Sequence, residues 1–106
     1  MIGEELVQKV GAMLAEAAGP SRIILFGSQA RGEAGEESDL DFLVVEPEVS
    51  NRLREMTRLR QVVRPLRIPV DILVCSRLEM EERRQACGSA IHWALREGRI
   101  LHDSLG

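Results

Sequence analysis

A chain of 106 residues is long enough to bury one core and reads as one domain, residues 1–106, yet it is small for an enzyme that must hold two substrates. Hydrophobic residues make up 44% and charged residues 29%, an ordinary balance for a soluble globular domain, and no apolar run approaches the roughly 20 residues a membrane-crossing helix needs. A net charge of −3 argues against general nucleic-acid binding, and Met1-Ile2-Gly3-Glu4-Glu5 lacks the basic start and apolar core of a signal peptide, so a cytoplasmic protein without membrane association is expected.

Leu6, Val7, Val10, Met13, Leu14 and Ala17 recur at helical spacing, which predicts an amphipathic helix from Gly3 to Ala18. Gly19-Pro20 ends it, because glycine suits the left-handed position after a helix and proline cannot continue one. Arg22 to Phe26 then reads as a buried strand running into Gly27, a residue that lets backbone approach a phosphate closely. Ser28 adds a hydroxyl and an amide, and Ser28 to Arg31 is long enough for one helical turn that aims backbone amides at an anion. Arg31 has two readings, staying solvated or pairing with nearby glutamates, or ordering the loop and its phosphates. Glu33 to Ser38, with Gly32 and Gly35, reads as a polar loop whose glutamates are solvated.

Asp39 to Val45 is the second predicted strand, stopped by Glu46-Pro47. Strand geometry alternates side chains, so Asp39 and Asp41 share one face while Leu40 and Phe42 share the other. Two strand rises put those carboxylates roughly 7 Å apart, where like charges repel unless a cation lies between them. A divalent metal resolves that repulsion. Magnesium favours one or two carboxylates with water and substrate phosphates, and Asp-x-Asp beside a Gly-Ser turn offers both halves of such a site.

Asn51 to Leu66 carries an apolar stripe of Leu53, Met56, Leu59, Val62, Val63 and Leu66, leaving Arg52, Arg54, Arg58, Arg60 and Arg64 on other faces. A solvated face is the plain reading of those arginines; an acidic protein partner or nucleic acid is the other. Val70 to Cys75 is a third strand, and a helical crossover before it implies that it runs parallel to the second. Asp71 then lies near Asp39 and Asp41, and Gly27 joins them if the first strand is antiparallel to the second. A carboxylate opening an apolar strand is costly unless solvated or paired. Ser76 and Glu79 form a capping box for a further helix, with Met80, Ala86, Cys87, Ala90, Ile91 and Ala94 apolar, a break near Glu82 to Arg84 or at Gly88, and Gly98 at its close. Trp93 reads first as core and otherwise as an exposed aromatic that anchors a partner, and Arg99 to His102 is expected as a short edge strand. Cys75 and Cys87 lack metal-type spacing and read as buried thiols, while His92 and His102 are too isolated for a zinc site.

Gly27-Ser28, ten intervening residues and Asp39-x-Asp41 resemble the signature of the DNA polymerase β-like nucleotidyltransferase superfamily. Gly-Ser-x-Ala-Arg-Gly with Ser-Asp-x-Asp looks like its minimal nucleotidyltransferase (MNT) branch. The resemblance implies an α/β fold, a small mixed sheet of three to four strands packed with helices. It implies two magnesium ions and ATP as co-substrate, with Asp39, Asp41 and Asp71 as metal-binding and catalytic acids and with Gly27, Ser28 and Arg31 toward the phosphates. Members of this branch often pair with a HEPN-domain protein as antitoxin and toxin, adding AMP to a partner tyrosine. This chain contains no tyrosine, so the acceptor lies elsewhere. Two rivals are a non-catalytic module that neutralises its partner by contact, and a small-molecule enzyme whose pocket forms between two copies in a homodimer. No Gly-Lys-Ser/Thr P-loop, dinucleotide-binding pattern or calcium loop is present.

Overall fold

A computed structural model describes residues 3–27, 40–84 and 89–105 of the chain. Its elements are α1 (Glu4–Ala18), β1 (Arg22–Phe26), β2 (Leu40–Glu46), α2 (Arg52–Val63), a 3-10 turn (Arg64–Leu66), β3 (Val70–Ser76), α3 (Arg77–Arg83), α4 (Ala90–Glu97) and β4 (Arg99–Asp103). The four strands form one mixed sheet in the order β3-β2-β1-β4, so the α/β expectation holds and the suspected edge strand is present.

Period-two alternation divides the strand side chains between two layers. Ile23, Leu25, Leu40, Phe42, Val44, Ile72 and Val74 pack under α1 and α2 against Val7, Val10, Leu14 and Leu59. Ile24, Leu43, Val45 and Cys75 pack on the other face against Met80, Ile91 and Ala94. Central β2 is therefore covered on both sides, which explains why its sequence is an almost unbroken apolar run. Each fully buried Leu, Ile or Phe contributes about 1.5–3 kcal/mol before the cost of ordering the chain.

Local chemistry sets the boundaries. Asn51 caps α2 by accepting from Arg54 N at 3.1 Å, and Pro65 turns the end of that helix into the 3-10 turn, a tightening hidden in the apolar stripe. Ser76 Oγ accepts from Glu79 N at 3.1 Å while the Glu79 carboxylate accepts from Ser76 N at 3.4 Å, the expected capping box. The predicted break after this turn is real, because α3 stops at Arg83 and α4 opens afresh at Ser89, whose hydroxyl accepts from His92 N. A Cβ on Gly98 would strike the Ala94 carbonyl and Ile24, so only glycine lets α4 hand the chain directly into β4.

Three expectations fail in packing. Trp93 is 44% exposed rather than core, because Ile91 and Ala94 take the inward face of α4. Leu53 is exposed, one turn outside the stripe that Leu59 and Val63 bury. Glu46, expected to stop β2, is its last residue and is buried. Cys75 is a buried free thiol as expected, and burial pushes its pKa up to about 11. The Ser28 to Arg31 turn, the acidic loop and Cys87 lie outside the described residues.

Candidate active site

The sheet register builds the site. β2 and β3 run parallel with Asp41 opposite Asp71, one residue after the Leu40–Val70 pair that opens the ladder. Adjacent strands lie about 4.8 Å apart, and both aspartates share the parity of Leu43, Val45, Leu73 and Cys75, so they stand side by side on the face that α3 and α4 cover. β1 is antiparallel to β2 and pairs Phe26 with Asp41, which brings Gly27 to the same rim. The condition set on β1 from sequence is met.

Gly27 adopts φ +79, a conformation that side chains with a Cβ rarely take. A Cβ there would collide with the Asp41 carboxylate. Glycine at this bend therefore has two causes, the turn out of β1 and the close approach of the backbone to a carboxylate. Asp41 is half-buried and held by a partner, whereas Asp71 is exposed. Asp39, Ser28 and Arg31 lie outside the described residues.

The oxygen-only donors fit a hard divalent cation such as magnesium, which prefers carboxylates and water over nitrogen or sulfur. Among the described residues no group of three ligating side chains gathers; two of the three proposed acids are described, and they are neighbours. Two like charges on adjacent strands repel, and a cation between them would remove that repulsion.

Glu46 escaped the sequence reading. It sits at the opposite end of β2, with Oε2 buried and without a hydrogen-bond partner. Burial raises its pKa, and the neighbouring Glu55 adds to the shift. Arg58 grips Glu55 through two bonds of 2.7 Å and holds that carboxyl low. Strand parity was the available signal, since Glu46 shares a face with Phe42 and Val44.

Comparison with known proteins fits this geometry. A curated protein of Methanocaldococcus jannaschii, provisionally named a protein adenylyltransferase, is 40% identical over 53 residues, 50% of this chain and 52% of that protein. The chain spans about half the length of that curated relative. A solved structure provisionally described as a minimal nucleotidyltransferase is 32% identical, with a TM-score of 0.60 and coverage of 91% of this chain and 92% of the other. A chain from a complex of a tri-AMPylated Shewanella oneidensis HEPN toxin with an MNT antitoxin shares the fold at 18% identity, with a TM-score of 0.61 over 95% of this chain and 73% of that one. The model of the nucleotidyltransferase domain matches residues 5–91, from the first helix into the fourth. That stretch takes in the rim where Gly27 meets the two aspartates, and the chain belongs to the nucleotidyltransferase domain family.

Proposed function

We propose that this domain transfers AMP from ATP to a hydroxyl on a HEPN-domain partner protein, with magnesium, as the antitoxin of a toxin–antitoxin pair. The observation that carries the reading is the in-register pairing of Asp41 with Asp71 beside the Gly27 bend. The named relatives supply the acceptor class, since one is called a protein adenylyltransferase and another accompanies an AMPylated HEPN toxin.

Asp41 and Asp71, with Asp39, would hold the metal. Bound magnesium would neutralise polyphosphate charge and polarise the reacting oxygens. The chain's own residues then do three things. Gly27 leaves room for the Asp41 carboxylate and lets the backbone approach the triphosphate, which Ser28 and Arg31 help to hold. Asp41 fixes position, because its strand is covered on both faces. Asp71, which is exposed, would accept the proton of the attacking hydroxyl. The new bond joins acceptor oxygen to the α-phosphorus, and pyrophosphate leaves with the electrons of the broken P–O bond.

The test incubates the chain with the HEPN-domain partner, magnesium and ATP labelled at the α-phosphate. Label is expected on the partner and is expected to fall by about 100-fold or more in Asp41→Asn and Asp71→Asn, the scale of losing metal and acid–base chemistry together. Without magnesium the Asp71→Asn variant should melt no lower than wild type, because it removes one of two repelling charges at an exposed position. Neutralisation of the partner with no label transferred by wild type would sink the enzymatic reading and leave a binding module.

A further inference from the structure

An open hollow of about 940 Å³ lies beside the entry to β3. Arg60 reaches it from α2, Arg64 from the start of the 3-10 turn and Arg67 from just past its end, and Ile68, Pro69 and Val70 form its floor. Among the described residues no acidic side chain lines it, and these three arginines make no ion pair. Two other arginines of α2 are paired, Arg52 with Glu79 and Arg58 with Glu55, while Arg54, which does not line the hollow, is not. Arg60 and Arg64, about one turn apart, carry like charges that repel each other.

Arg67 adds an observation of another kind. Its backbone lies at φ 54 and ψ 39, the left-handed region where glycine sits without strain and a residue with a Cβ does not. Fold stability alone favours glycine here. An arginine in that place adds charge to the hollow at the expense of the backbone.

We propose that this hollow docks an acidic segment of the protein that carries the acceptor hydroxyl. The identity of that protein rests on the transfer reading above; the surface itself does not. The floor leads directly to the catalytic rim, since the Pro69 carbonyl accepts from Leu40 N at 3.0 Å and the Leu40–Val70 pair precedes the Asp41–Asp71 pair by one residue. The hollow is on the α2 side of the sheet and the aspartates are on the other, so a segment seated on the arginines and crossing the strand ends arrives at the acids. The occupant is polypeptide rather than nucleic acid. Single-stranded nucleic acid is gripped by aromatic stacking within a basic groove, and here the floor is aliphatic and the chain as a whole is acidic. Arginines around an aliphatic floor suit carboxylates alternating with apolar side chains.

The experiment measures affinity for the HEPN-domain partner at low and high salt, and for magnesium ATP alone, in wild type, Arg60→Glu/Arg64→Glu, Arg67→Gly and the charge control Arg54→Glu. The double reversal should weaken partner binding by about 10-fold or more, with the difference shrinking at high salt. Arg67→Gly should melt at or above wild type yet bind the partner several-fold more weakly, a combination that a structural role would not produce. Arg54→Glu should bind as wild type does, and magnesium ATP affinity should hold in all four. Equal losses in the double reversal and in Arg54→Glu, or no loss in either, would overturn the docking surface. So would wild-type binding of a short single-stranded RNA that the double reversal abolishes, because the hollow would then take phosphates. Absence of AMP transfer by wild type would defeat the function proposed above while partner affinity still judged the hollow; transfer with binding indifferent to the arginines would do the reverse.

Discussion

Gly27 shows how much one residue carries at the rim. Its positive φ turns the chain out of β1, and its missing side chain is the space beside the Asp41 carboxylate. Alanine there would meet both demands badly, but unequally. The left-handed backbone costs about 1 kcal/mol with a Cβ present. The collision falls on the outer atoms of an aspartate side chain, which can rotate aside without unfolding anything. Gly27→Ala is therefore expected to lower stability in urea unfolding by about 1–2 kcal/mol while reducing the proposed AMP transfer by more than that loss explains, because Asp41 is displaced from its place opposite Asp71.

At the scale of elements, the junction between β3 and α3 joins two signals that were visible in order along the chain. Ser76 and Glu79 cap α3 reciprocally, and Glu79 also pairs with Arg52 at the start of α2. One short motif thus starts a helix and fastens it to another across the end of the sheet. Ser76→Ala removes the acceptor for Glu79 N and should cost about 1 kcal/mol in urea unfolding, without changing partner or nucleotide affinity, since this end of the sheet is remote from the aspartates. Helix limits, caps and strand runs were legible because they depend on residues within one or two turns of each other. Trp93 and Leu53 were misread for the opposite reason. An apolar residue near the edge of a helical stripe is buried only if a neighbour arrives to cover it, and periodicity carries no information about that neighbour.

Across the whole molecule, the two ends of the central strand carry opposite chemistry. One end presents Asp41 toward Asp71 at an open rim; the other buries Glu46 against Glu55 in a hollow also lined by Glu48, Arg54 and Arg58. Burial pushes the Glu46 pKa up to about 8, above its unfolded value near 4.3. Between those values the folded state binds more protons than the unfolded chain, so stability is full at the acid side of the window and is lost as pH rises through it. Glu46→Gln keeps a hydrogen-bond donor toward Glu55 and removes the ionisation. It should match wild type near the bottom of the window and exceed it by about 1–2 kcal/mol at the top, read as a flatter profile of urea midpoints against pH.

The sequence by itself determined the elements, the faces on which Asp41 and Asp71 point, and the family signature, because alternation and capping are local and the motif's spacing is fixed by the chain. Tertiary structure alone decided that the two acids stand in register, that Gly27 presses on one of them, that Glu46 is enclosed, and that Arg67 holds a left-handed backbone in the hollow that Arg60 and Arg64 also line. The physical reason is that register, enclosure and close approach are set by contacts between residues far apart in the chain, and only packing brings those residues together.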